Sequence, residues 1–93
     1  MVELTPRLRR RLDADFGREA QRLAGELELL PESINSRQDP ERIQASVLLA
    51  AGGSADDFDA MLALARLDWR DLLVNAGLQN GDYAKVMSRR LGK

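Results

Sequence analysis

The sequence predicts an all-α fold: a long N-terminal helix over about residues 6–30, then four short helices over about 40–51, 55–66, 69–76 and 82–91, in one compact bundle. Three observations carry that prediction. Apolar residues recur at steps of three and four, which keeps them on one face of a helix. Helix-capping residues (Thr5, Asp39, Ser54, Asp68 and Asp82) stand where these runs begin, and proline follows two of them at the first helical position. Chain breakers close most runs: Pro31, Gly52-Gly53, Gly77 and Gly92.

The first helix opens at Thr5-Pro6 and carries Leu8, Leu12, Phe16, Ala20, Leu23, Leu27 and Leu30. From Phe16 onward these fall at steps of 4, 3, 4 and 3, a coiled-coil-like seam. The earlier steps of four drift off the seam, and Gly17 weakens the helix there, so the element is either one rod of about 25 residues or two collinear pieces. A single rod would span roughly 37 Å. Pro31 is expected to end it, and residues 31–39 are polar turn-formers that read as a loop.

Asp39-Pro40 starts the second helix, with Ile43, Val47, Leu48, Ala50 and Ala51 as its apolar residues and Gly52-Gly53 as its stop. Ser54 with Asp57 resembles a capping box for the third, which presents Phe58, Met61, Leu62 and Ala65. Asp68 caps the fourth, where Trp69, Leu72, Leu73 and Ala76 repeat the same spacing, and Gly77 ends it. Gly81-Asp82 begins the fifth, with Tyr83, Val86, Met87 and Leu91 facing inward.

Ninety-three residues make one domain, here 1–93, with 1–30 as a candidate dimerisation helix. Apolar residues are 44% and charged residues 31%, a globular balance; aromatics are 4%, so the core must come from aliphatic side chains. The net charge of −1 argues against a dedicated nucleic-acid binder. Neither cysteine nor histidine is present, which removes thiolate nucleophiles, zinc–thiolate sites, and the commonest general base and imidazole ligand. No apolar h-region marks a signal peptide and no run approaches membrane-spanning length, so a cytoplasmic location is the default. Nearly all basic residues are Arg, which with abundant Ala and Leu points to a GC-rich bacterial source.

The stretch from Glu41 to Leu78, especially Asp68-Trp69-Arg70-Asp71-Leu72-Leu73-Val74 with Ala76-Gly77-Leu78, resembles a group of small uncharacterised bacterial proteins that carry a similar segment in their second half. The resemblance covers less than half of the chain, implies a bacterial source, and carries over no activity and no site residues.

Several constellations invite a chemical reading, and each has a plainer one. Asp56, Asp57 and Asp59 could gather a hard cation, but the central glycine and distal glutamate of a calcium loop are missing, and carboxylates in a first helical turn favour the positive end of the helix dipole. Asp13 and Asp15 read the same way. Gly52-Gly53-Ser54 lacks the Gly-Lys-Ser/Thr of a phosphate loop and is followed by acids, so it reads as one helix stop and the next helix start. Trp69 and Tyr83 could stack on a ligand, but their helical spacing with Leu72, Leu73, Val86 and Met87 makes them core anchors. No catalytic, metal or cofactor residues are assigned and no cofactor is expected.

The charges of the first helix are more informative. Arg7, Arg9, Arg10 and Arg11 lie in its opening turns and Glu26, Glu28 and Glu32 near its end, both opposed to the helix dipole. An antiparallel second copy would set Arg7, Arg10 and Arg11 against Glu26 and Glu28 while burying the seam Leu8, Leu12, Phe16, Ala20, Leu23, Leu27 and Leu30. The sequence therefore reads as a non-catalytic protein–protein interaction module that self-associates through its first helix, as a homodimer or with another protein. The alternative is a helix-turn-helix DNA-binding protein using the fourth and fifth helices, with Lys85, Arg89 and Arg90 as the basic set; Asp82 at the start of the would-be recognition helix opposes it. Acidic residues interleaved with the arginines argue against a membrane-surface role.

Overall fold

A computed structural model describes all 93 residues and is helical throughout, without strands. In chain order the elements are α1 (Pro6–Phe16), a 3₁₀ turn (Gly17–Glu19), α2 (Ala20–Ser33), α3 (Pro40–Ala51), α4 (Ala55–Ala76) and α5 (Tyr83–Leu91). The all-α class is as read from the sequence, but the division into one long and four short helices is not. The expected rod over 6–30 is two helices, whereas the expected helices over 55–66 and 69–76 follow each other directly within α4, separated by the non-helical backbone of Asp68.

The break in the first half falls at Gly17, whose backbone sits at φ 51°, ψ −113°. A side chain disfavours that conformation, so glycine here is what lets the chain leave the helical path. Beyond the turn, α2 folds back along α1. The Val2 N–H donates to the Glu28 carbonyl at 2.8 Å, and Arg9 pairs with Glu28 at 3.6 Å. The start of α1 thus lies against the end of α2, but of the charges expected to meet an antiparallel partner only Glu28 is engaged here, and by Arg9. The longest dimension of the molecule, 33 Å, is itself shorter than the roughly 37 Å rod.

Pro31 does not end α2, which continues to Ser33. Proline lacks the N–H that the Leu27 carbonyl, four residues back, would otherwise accept. The side-chain amide of Gln44 replaces it, donating to the Leu27 carbonyl at 3.2 Å and to the Val2 carbonyl at 2.9 Å. Gln44 is fully buried, and its Oε1 accepts no hydrogen bond within the protein.

Gln44 belongs to α3, the central element. Asp39 caps that helix by accepting from the Glu41 N–H at 3.0 Å, and Gly52, in the left-handed region at φ 57°, ends it. Every residue from Ile43 to Leu49 is buried, so two full turns are enclosed on all sides, with α1, α2, α4 and α5 all packed against them. The core of 22 buried apolar side chains surrounds this axis, and Phe16 meets Phe58 edge to face, with ring centroids 5.4 Å apart, where the α1–α2 hairpin touches α4.

Ser54 caps α4 by accepting from the Asp57 N–H at 3.2 Å. Asp68 leaves the helix at φ −157°, ψ 92° and accepts from the Arg70 N–H at 3.1 Å, capping the second half afresh. Thr5 and Asp82, also expected as caps, make no capping hydrogen bond. The Thr5 hydroxyl donates instead to Glu41 Oε2 at 2.6 Å.

Arginines close the helix ends. Arg7, Arg10 and Arg11 donate to the carbonyls of Gly92, Lys93 and Arg90 at 3.0–3.1 Å, at the end of α5. Arg90 donates to the Ala76 carbonyl at 2.8 Å, at the end of α4. Positive charge at a helix C-terminus follows the dipole, so arginines misplaced for α1 are well placed for α5.

Candidate functional site

The bend at Asp68 turns the second half of α4 so that Trp69, Arg70, Leu73 and Val74 form one wall of a cleft of about 380 Å³. The other wall comes from Gln38 and Arg42, at and before the start of α3, and from Gln79 in the segment after α4. The cleft is open to solvent along one side. Val74 is 58% exposed, and Leu67, on the other side of the bend, is 85% exposed.

Arg42 is held rigidly. Its Nε and Nη2 both donate to the Leu78 carbonyl, at 3.0 and 2.8 Å, and its Nη1 donates to Gln38 Oε1 at 2.7 Å. The guanidinium also lies 4.1 Å from the centre of the Tyr83 ring. Three of its five N–H groups are engaged, which leaves two. Arg70 stacks on Trp69 at 4.7 Å. Neither arginine pairs with a carboxylate: the ion pairs of the chain are Met1–Glu32, Arg7–Glu41, Arg9–Glu28, Arg11–Asp15 and Arg22–Glu19. The cleft therefore holds two positive charges without counter-charges, beside an indole and aliphatic side chains.

The strongest ion pair lies elsewhere and is structural. Arg7 grips Glu41 with two parallel hydrogen bonds, at 2.8 and 2.7 Å, tying α1 to α3. Chiefly through these bonds the Glu41 carboxyl titrates below the usual glutamate range; burial opposes the shift and the Thr5 hydroxyl adds to it. The same hydrogen bonds raise Arg7 above its ordinary value.

The residues singled out in the sequence are placed as follows. Leu8, Leu12, Ala20, Leu23, Leu27 and Leu30 lie in the chain's own core, and Phe16 is half-buried against it. As the surface of a folded monomer, then, the seam does not exist. Of the charge set, Glu28 meets Arg9, while Arg7, Arg10 and Arg11 meet Glu41 and the α5 terminus; Glu26 pairs with nothing. Asp56, Asp57 and Asp59 are exposed in the first turns of α4, and no group of acidic side chains converges as a metal site would require. Gly52-Gly53-Ser54 forms the α3–α4 turn. Lys85 and Arg89 are exposed on α5, as is Asp82 just before it, while Arg90 is engaged with the Ala76 carbonyl. Trp69 and Tyr83 are half-buried: each packs on the core and stacks with an arginine.

The cleft residues Gln38, Arg42, Arg70, Val74 and Gln79 were not marked by the sequence. The available signals were Gln38 four residues before Arg42, on either side of the Asp39 cap, and the Trp69-Arg70 pair directly after a cap. No family model, curated protein or solved structure matches the chain. No helix is long and apolar enough to cross a membrane.

Proposed function

We propose that the chain is a non-catalytic protein–protein interaction module that meets its partner at the cleft between the second half of α4 and the start of α3. The observation that carries this is Val74, more than half exposed beside the half-buried Trp69 in the wall of an open cleft. Apolar surface gathered around an aromatic residue and arginines has the composition of an interaction hot spot. The absence of histidine and cysteine supports a role in contact over one in chemistry. A photo-crosslinking side chain at position 74 tests it in cells: a discrete adduct is expected, lost when Trp69 is replaced by Ala. A probe at the exposed Gln21 of α2 should give none. Equal adducts from both positions, or none from position 74, contradict the assignment.

Self-association through the first helix is a second reading, now in a specific form. If the hairpin opened at Gly17, α1 of one copy could dock on α2 of another and remake the same seam and the same Arg9–Glu28 pair between chains. What favours it is that every α1–α2 contact can be made equally well by a second copy.

A further inference from the structure

We infer that the cleft recognises a carboxylate-bearing, apolar peptide segment of the partner, an Asp or Glu flanked by aliphatic or aromatic side chains. This rests on the cleft being the contact surface and adds the chemistry of what it contacts. The two guanidiniums in its walls face no carboxylate of their own chain. Arg42 is immobilised by the Leu78 carbonyl, Gln38 and the Tyr83 ring, so its two free N–H groups are fixed before any ligand arrives. A donor already ordered loses little entropy on accepting an anion. Arg70, flat on Trp69, adds a second charge at the same cleft.

The remaining lining decides between kinds of anion. Trp69, Leu73 and Val74 offer apolar wall and the two glutamines offer amides that can bond a peptide backbone. A bare inorganic anion would leave the apolar wall uncovered. The cleft is too open to enclose a small molecule, whereas an extended segment could lay an apolar side chain on Trp69 and Val74 and turn its neighbouring carboxylate to Arg42 and Arg70. The chain's own net charge of −1 does not draw acidic partners, so the recognition is local to the cleft.

Trp69 is the only tryptophan of the chain and sits in the site, so its fluorescence reports binding directly. The probe is the capped peptide acetyl-Leu-Glu-Phe-Glu-Leu-amide, titrated into the millimolar range beside analogues with Gln or Lys in place of Glu. Saturable binding of the Glu peptide is expected, about tenfold weaker for the Gln analogue and weaker still for the Lys analogue. Added salt should reduce the Glu peptide's affinity but not that of the Gln analogue. Arg70→Gln should narrow the gap between the Glu peptide and the Gln analogue, with Arg42 keeping part of it. Because the Arg70 guanidinium is exposed and touches the fold only by stacking on Trp69, that variant should stay folded with a melting temperature close to that of the wild type, and Arg66→Gln, outside the cleft, should change nothing. If all three peptides bind alike, carboxylate recognition is overturned while the cleft remains a contact surface. If none binds, the inference falls, and the crosslink from position 74 decides separately whether the contact surface stands.

Discussion

The side-chain amide of Gln44 donates to the Leu27 carbonyl at 3.2 Å, at the point where Pro31 has no N–H to give. A proline inside a helix and a fully buried polar side chain on another helix are each unfavourable alone, and here each compensates the other. Gln44→Leu should therefore cost about 1–3 kcal/mol, since it strands the Leu27 and Val2 carbonyls in the core. In a Pro31→Ala background the Leu27 carbonyl regains its helical partner, so the same substitution should cost less. Urea denaturation of the four proteins measures the coupling; additive effects would show that the two positions are independent.

Gly17 is the hinge of the α1–α2 hairpin, and only its backbone conformation excludes other residues. A Cβ there would meet nothing within 4 Å, but φ 51° with ψ −113° is strained for any L side chain. Gly17→Ala should cost the monomer about 1–3 kcal/mol and favour a continuous helix through the turn. Straightening cannot bury the seam within one chain, so the relief is exchange of α1 between two copies. Sedimentation equilibrium should find the wild type less dimeric than the variant at equal concentration. A variant that is destabilised yet no more dimeric would argue against exchange.

The Arg7–Glu41 pair gives stability an acid-sensitive part. The folded-state value of Glu41 lies below its unfolded value of about 4.3, so the stabilisation is complete above that pH and is lost as pH falls through the folded value. Arg7 is raised instead, so its share is present at all pH values below its ordinary range and does not shape the acid limb. Glu41→Gln should lose about 2 kcal/mol at neutral pH. Its stability should fall less than the wild type's on acidification, and the two should converge once the pH is below the folded-state value of Glu41. Parallel pH profiles would mean that Glu41 is not the group responsible.

Much of the fold was legible because its signals are local. Asp39-Pro40, Ser54 and Asp68 each mark a helix start where the side chain accepts from a backbone N–H, and the steps of three and four name most of the buried residues. What was hidden depends on residues far apart in sequence. Pro31 reads as a stop unless Gln44, 17 residues away from Leu27, is known to lie beside it. The seam of the first helix is equally consistent with a second chain and with the chain's own return, because periodicity records which face is apolar but not what covers it. Of the opposed charges only Arg9 and Glu28 meet across the turn at Gly17, while Arg7, Arg10 and Arg11 turn to Glu41 and the end of α5 and Glu26 pairs with nothing. The cleft combines residues from 38 to 79 and shows no motif along the chain.

The seam lies inside the monomer, and a distance measurement tests that placement most directly. The chain has no cysteine, so spin labels can be attached to cysteines introduced at the exposed Glu3 and Leu29. With doubly labelled chains diluted in unlabelled protein, only the intrachain distance is read. Because Val2 and Leu4 both hydrogen-bond to Glu28, the hairpin predicts one narrow population below about 20 Å, allowing for the reach of two labels at roughly two helix-turn lengths. A population near 39 Å, the length of about 26 residues in a straight helix, would contradict it.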